Sequence, residues 1–87
     1  MIKEFKYHFY LPNNFTGICK ITDDNTIRYY KNGLRHREDG PAIEFSDDNK
    51  DWCYKDKCYG NDNNFTNETW IEFVENLKRE EELKIFK

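Results

Sequence analysis

An internal repeat limits what this chain can fold into. Ile18–His36 (ICKITDDNTIRYYKNGLRH) lies without gaps on Ala42–Gly60 (AIEFSDDNKDWCYKDKCYG), displaced by 24 residues. Asp23-Asp24-Asn25 falls on Asp47-Asp48-Asn49, and Tyr30-Lys31 falls on Tyr54-Lys55. Ile21, Thr22 and Asn32 meet Phe45, Ser46 and Asp56. The identities cluster where chains turn, because Asn and Asp tolerate left-handed backbone and bond their own main chain.

Each copy reads as a β-hairpin. Ile18-Cys19-Lys20-Ile21 alternates apolar and polar, as a half-buried strand does. Asp23-Asp24-Asn25 turns the chain, Thr26–Lys31 returns it, and Asn32-Gly33 is the strongest short hairpin-turn signal. The second copy runs Ala42–Ser46, turns over Asp47–Lys50 and returns along Asp51–Lys55. Its closing turn, Lys55-Asp56-Lys57, lacks glycine and is expected to be looser. Upstream, Glu4–Tyr10 has a strand-like pattern with Phe5, Tyr7 and Phe9 on one face, broken by Leu11-Pro12-Asn13-Asn14.

The period changes near the C-terminus. Trp70, Phe73, Val74 and Leu77 occupy one helix face, with Thr66 or Asn67 as the cap and Glu68 and Glu72 near the positive end of the dipole. The spacing predicts a helix over Asn67–Arg79. Glu80–Glu82 reads as a solvated stretch, and Leu83, Ile85 and Phe86 as a continuation or a docking tail. The expected fold class is therefore α+β: an antiparallel sheet of repeated hairpins with one C-terminal helix. A chain of 87 residues fits a single domain, divided into an N-terminal strand (1–14), two related hairpins (16–60), and a helix and tail (66–87).

Composition narrows the function. A net charge of −3 lacks the basic surplus of a nucleic-acid-coating protein. No stretch has the roughly 20 apolar residues of a membrane span. Met1–Tyr10 has no apolar core of a signal peptide. Three cysteines fit a fully paired disulfide framework poorly. The expected compartment is the cytoplasm with reduced thiols, where the N-x-T triplets at Asn14, Asn64 and Asn67 carry no sugar.

His36-Arg37-Glu38-Asp39-Gly40-Pro41-Ala42, preceded by Tyr30-Lys31-Asn32-Gly33, resembles the H-x-x-D-G-P-A (MORN-like) repeats of phage and giant-virus proteins. The match runs from Tyr30 to Trp52, through Glu44, Phe45, Asp47 and Lys50. It departs at Asp48, where the family tends to have glycine, and at Lys57-Cys58-Tyr59-Gly60, where a further motif would begin. The resemblance implies stacked hairpins closed by end caps, a phage or prophage origin, host-cell cytoplasm as the location, and no enzymatic activity.

Several residue groups invite a functional reading beside a plainer one. His36, Glu38 and Asp39 have the chemistry of metal ligands or of a small metal-dependent hydrolase. The plainer reading is a structural turn of His36, Asp39, Gly40 and Pro41, since Asp-Gly-Pro is turn chemistry. Cys53 and Cys58 flank a four-residue turn; they read as a redox pair, half a zinc site with Cys19 or His36, or small buried apolar side chains. Asp23, Asp24, Asp47 and Asp48, with Glu72, Glu75 and Glu80–Glu82, are either an acidic docking face or ordinary solvated surface. The aromatics Tyr10, Phe15, Tyr29, Tyr30, Trp52, Tyr54, Tyr59 and Trp70 exceed what a small core hides, and alternation sets Tyr29 and Tyr30 on opposite faces.

There is no phosphate-binding glycine loop and no nucleophile elbow. The expected function is a non-enzymatic protein-binding module, a phage- or prophage-encoded inhibitor of a host defence nuclease of the anti-CRISPR kind. Its expected contact residues are Asp23, Asp24, Asp47, Asp48, Tyr29 and Tyr30. No cofactor, metal, nucleic-acid or membrane contact is expected. A structural or adaptor repeat protein is the alternative.

Overall fold

The computed structural model describes residues 2–85. One sheet holds the chain together. Its strands are β1 (Lys3–Phe5), β2 (Gly17–Ile21), β3 (Thr26–Lys31), β4 (Leu34–Arg35), β5 (Ile43–Glu44), β6 (Lys50–Tyr54) and β7 (Lys57–Asn61). The order is β1-β2-β3-β5-β6-β7, with β4 on β3 beyond the start of β5. Every pairing is antiparallel except β1 on β2. A single α-helix, α1 (Asn67–Ile85), follows. The α+β class holds.

The N-terminal strand is shorter than its alternation implies. It pairs Phe5 with Ile21, where β2 ends, and the amides of Thr22 and Asp23 close onto the carbonyls of Phe5 and Lys6. Beyond that point no neighbouring strand remains to be paired. Tyr7 and Phe9 stack on one another at 5.0 Å and His8–Tyr10 winds into a 3-10 turn.

The two hairpins are related, but not by one gapless displacement. Cys19 pairs with Arg28 and Ile43 with Asp51; Lys20 pairs with Ile27 and Glu44 with Lys50. Incoming strands thus correspond at 24 residues and return strands at 23. The second turn is one residue shorter. Ile21 pairs with Thr26 across four residues, whereas the Phe45 amide donates to the Asn49 carbonyl across three. The left-handed residues follow the corrected register: Asn25 (φ 63°) answers to Asp48 (φ 69°), and Asn32-Gly33 (φ 52° and 80°) to Lys55-Asp56 (φ 50° and 70°). A one-residue slip exchanges the faces of a strand. Tyr29, not Tyr30, is therefore the counterpart of Trp52, and Tyr30 that of Cys53.

The closing turn of the second hairpin is not loose. It takes the same two-residue left-handed path without glycine, held from several sides. The Lys55 amide donates to Nδ1 of His36 at 3.0 Å, the Asp56 amide donates to the Arg35 carbonyl at 2.8 Å, and the Arg35 guanidinium grips the Asp56 carboxylate at 2.8 Å. The first turn is anchored in the same manner. There the Asn32 amide donates to Thr16 Oγ1 and the Gly33 amide to the Phe15 carbonyl.

Two small cores lie on opposite faces of this slab, whose extents are 44 × 29 × 19 Å. Over β1–β3, Phe15, Cys19 and Ile21 are buried with Phe5, Leu11 and Tyr30 against them. The Leu11–Phe15 loop supplies that cover. Over β6 and β7, on the other face, Trp52 and Tyr54 are buried beneath Trp70 and Val74 of α1, with Tyr59, Phe65, Phe73 and Leu77 around them. Tyr59 reaches this side by the alternation that follows the Cys53–Cys58 pairing; the bulge beyond it, between Trp52 and Cys53, sets Gly60 opposite Trp52 and Asn61 opposite Asp51.

The helix starts at a reciprocal cap: the Thr69 amide donates to Thr66 Oγ1 and the Thr66 amide to Thr69 Oγ1. This is a capping box with Thr in the usual Glu position. The helix extends past Arg79 because Glu80–Glu82 continue it, and Glu81 returns to the sheet to bind Lys55 Nζ at 3.0 Å and the Tyr54 hydroxyl at 3.3 Å. Leu83 stays exposed; Phe86 of the expected tail and the side chain of Ile85 lie outside the described residues. No described helix is long and apolar enough to cross a membrane.

Candidate functional site

The register of β3 with β5 decides where the aspartates go. Ile27 at the start of β3 pairs with Glu44 at the end of β5, so the turn after β2 and the turn after β5 leave the sheet at the same end. Asp23-Asp24 and Asp47-Asp48 are thereby neighbours, about two strand spacings or roughly 10 Å apart. The Asp51–Asn61 pairing brings the end of β7 to this edge as well, and with it Asp62. Sequence reasoning missed Asp62. The run Asn61-Asp62-Asn63-Asn64 at a strand end was the available signal.

These carboxylates do different things. Asp24 accepts hydrogen bonds from the Thr26 amide (3.2 Å) and hydroxyl (2.7 Å) and pairs with Arg28 at 3.3 Å. Burial pushes its carboxyl up, but the Thr26 bonds and the Arg28 charge outweigh this and hold it below the usual carboxylate range. Asp47 caps the second turn by accepting from the Asn49 amide at 3.2 Å. Asp62 accepts from the Lys50 amide at 3.1 Å. Asp23 and Asp48 point carboxylates outward with no such partner among the described residues. A shallow cavity of about 260 Å³ opens beside Asp47, Asp51 and Asp62.

Tyr29 and Tyr30 do not join this edge. They sit toward the other end of β3, on opposite faces, and both are half-buried. Tyr29 lies under the Arg37 guanidinium, 4.0 Å from its centroid, and Tyr30 meets Phe15 edge-on. Among the described residues, the exposed aromatics are Tyr10, which the sequence singled out, and Phe9, which it assigned to a strand face.

The motif residues are spent on architecture. His36 is buried and both ring nitrogens are engaged: Nδ1 accepts from the Lys55 amide, so Nε2–H donates to Glu38 at 2.9 Å. Glu38 continues to Lys78 of α1. Asp39 turns away from this pair to meet Arg37 Nε at 2.9 Å, and Arg37 also donates to the Pro41 carbonyl at 3.2 Å. Gly40 is close-packed, since a Cβ there would stand 2.7 Å from Arg37 Cζ. His36, Glu38 and Asp39 thus do not converge on a common point. No group of three or more His, Cys, Asp or Glu side chains among the described residues is placed to hold a metal ion.

The cysteines correct an expectation. Cys53 and Cys58 face each other across the β6–β7 hairpin as a disulfide, and are not reduced thiols. In a two-residue hairpin the residues just outside the closing pair form a non-hydrogen-bonded pair, where side chains approach closely. Cys19 remains free in the core under Phe15, and burial raises its thiol pKa.

The Glu38 network sets a pH dependence. The Lys78 hydrogen bond, aided by His36 and opposed by partial burial, holds the Glu38 carboxyl below its ordinary value. A depressed folded-state pKa stabilises above the unfolded value and is lost as pH falls through the folded one. Lys78→Gln should therefore lower Tm near pH 7, and its curve should rejoin the parent's once pH falls below the usual carboxylate range. The pair is partly exposed, so the difference should stay below about 1 kcal/mol. Thermal melts across pH check this.

Comparisons with family models, with curated proteins and with solved structures match nothing.

Proposed function

We propose that this chain is a non-enzymatic protein-binding module that docks its acidic sheet end against a basic host protein. The reading in full is a phage- or prophage-encoded inhibitor of a defence nuclease, of the anti-CRISPR kind. The observation that carries it is the gathering of two Asp-Asp turns and Asp62 on one edge of a protein with modest net charge. Such a local field steers association with a positively charged groove, and nucleic-acid-handling enzymes offer one. The viral part rests on the motif resemblance between Tyr30 and Trp52. The adaptor reading has one observation in its favour, the complete use of the motif side chains in architecture.

The test needs charge removed without harm to the turns. Asp24 and Asp47 hold their hairpins, so D23N/D48N is the informative variant; asparagine also suits the left-handed backbone at position 48. Against a purified CRISPR effector nuclease of the host, the parent should form a stable complex and suppress DNA cleavage. The variant should associate about threefold to tenfold more slowly at low salt, with dissociation and Tm nearly unchanged. The difference should shrink as ionic strength rises. Absence of any complex at low salt would remove the inhibitor reading. Unchanged association would move the contact off the acidic end.

A further inference from the structure

We propose that Cys53–Cys58 is a thiol-exchange site, with a low-molecular-weight thiol such as glutathione as its substrate, and that its opening loosens the junction between sheet, motif and helix. The proposal is independent of the binding reading above. It rests on where the pair sits. The disulfide brackets the Lys55-Asp56 turn, which takes a left-handed path at two consecutive residues that are not glycine. The corresponding turn of the first hairpin carries Asn32-Gly33, which adopts that path readily and has no disulfide. Three parts of the molecule meet on the Lys55 turn. His36 binds the Lys55 amide, Arg35 clasps Asp56, and Glu81 of α1 reaches Lys55 Nζ.

The two sulfurs differ in access. Cys53 has no exposed surface, whereas Cys58 is exposed beside Lys57 on the edge strand β7. An incoming thiolate can therefore reach only Cys58. It attacks Cys58 Sγ; the disulfide bond breaks, its electron pair leaves on Cys53 Sγ, and that thiolate takes a proton from solvent. Cys58 is now a mixed disulfide with the small thiol. A second thiolate attacks the small-molecule sulfur of that bond and releases Cys58 as thiolate. The balance is two small thiols oxidised to their disulfide and one protein disulfide reduced by two electrons. Lys57 favours the approach of an anionic thiol.

The experiment equilibrates the folded, oxidised protein in glutathione redox buffers and follows peptide mass and amide exchange. One glutathione adduct should form on Cys58, with none on Cys53 or Cys19. On full reduction, the Lys55 and Asp56 amides should exchange about tenfold faster while α1 keeps its circular dichroism. The variant Cys53→Ala/Cys58→Ala should exchange like the reduced parent and ignore the redox buffer. An adduct on Cys53, failure to react while folded, or unchanged exchange after reduction would overturn the proposal. Global unfolding on reduction would also overturn it, by making the pair a staple for the whole sheet.

Discussion

Trp70→Ala should unfold a large part of the population at room temperature. Trp70 has no exposed surface and stands at the centre of an aromatic cluster. Its ring lies 4.9 Å from Phe65, 5.6 Å from Phe73 and 5.8 Å from Trp52. Emptying an aromatic core site costs about 3–5 kcal/mol, against a total stability of roughly 5–15 kcal/mol for a domain. An 87-residue chain with two small cores belongs near the bottom of that range. The indole also makes a polar contact: Nε1–H donates to the Arg37 carbonyl at 2.7 Å, tying the helix to the motif loop. Trp70→Phe keeps most of the ring but strands that carbonyl, and should cost about 1–3 kcal/mol. Ile71, half-exposed on the next position, is the control; its alanine variant should lie within about 0.5 kcal/mol of the parent. Denaturant titrations give all three values. If Trp70→Ala melted with Ile71→Ala, the helix would not be part of the fold's core.

What the sequence made legible follows from which interactions are local. Turn residues announce themselves because their backbone preferences need no partner: both turns of the first hairpin lie where they were read, while the second Asp-Asp-Asn turn, read over Asp47–Lys50, closes early enough that Lys50 already pairs with Glu44. The helix face was legible for the same reason: Trp70 and Val74 are buried, and Phe73 and Leu77 half-buried beside them. The register of the second hairpin was not legible. Asp-Asp-Asn recurs in both copies, so an alignment by identity hides a turn shorter by one residue, and that single residue decides whether Tyr54 faces the helix. The end of β1 depends on where β2 turns away, and the length of α1 on a contact from Glu81 to a strand far upstream; neither is written in the local pattern. Of the candidate contact residues, the four aspartates were placed correctly relative to one another because equivalent turns of stacked hairpins must emerge together. Tyr29 and Tyr30 lie on opposite faces, as alternation implied, but toward the other end of β3, where Arg37 covers one ring and Phe15 meets the other; neither long-range contact is written in the local pattern. A Cys53–Cys58 pair was one of several readings open in the sequence, and the odd cysteine count argued against a fully paired framework, although Cys19 alone accounts for the odd one.

Gly33→Ala should be the most damaging single methyl group in the molecule. Gly33 is left-handed at φ 80°, and a Cβ there would stand 1.8 Å from the Asn13 carbonyl oxygen and 2.9 Å from its carbon. That obstacle is backbone, so no rotamer change relieves it. Either the turn must leave its left-handed path or the loop must lift. Both moves break the Gly33 amide to Phe15 carbonyl bond at 2.9 Å and uncover the core that Phe15 closes over Cys19 and Ile21. Backbone strain alone costs about 1–3 kcal/mol, and the loss of packing takes the total to about 4 kcal/mol or more, the range reserved for a few mechanisms of which this is one. Gly17→Ala provides the calibration. It is also at positive φ (139°), but its Cβ would meet only the Phe15 ring at 3.5 Å, an ordinary contact. It should therefore cost the backbone term alone, about 1–3 kcal/mol. Thermal melts of the two variants, together with alkylation of Cys19 as a report on the exposed core, distinguish them: rapid Cys19 labelling in Gly33→Ala and slow labelling in Gly17→Ala is the expected pattern. Equal, small losses in both would mean that the Leu11–Phe15 loop does not lie against the first hairpin turn, and the cover of that core would have to be sought elsewhere.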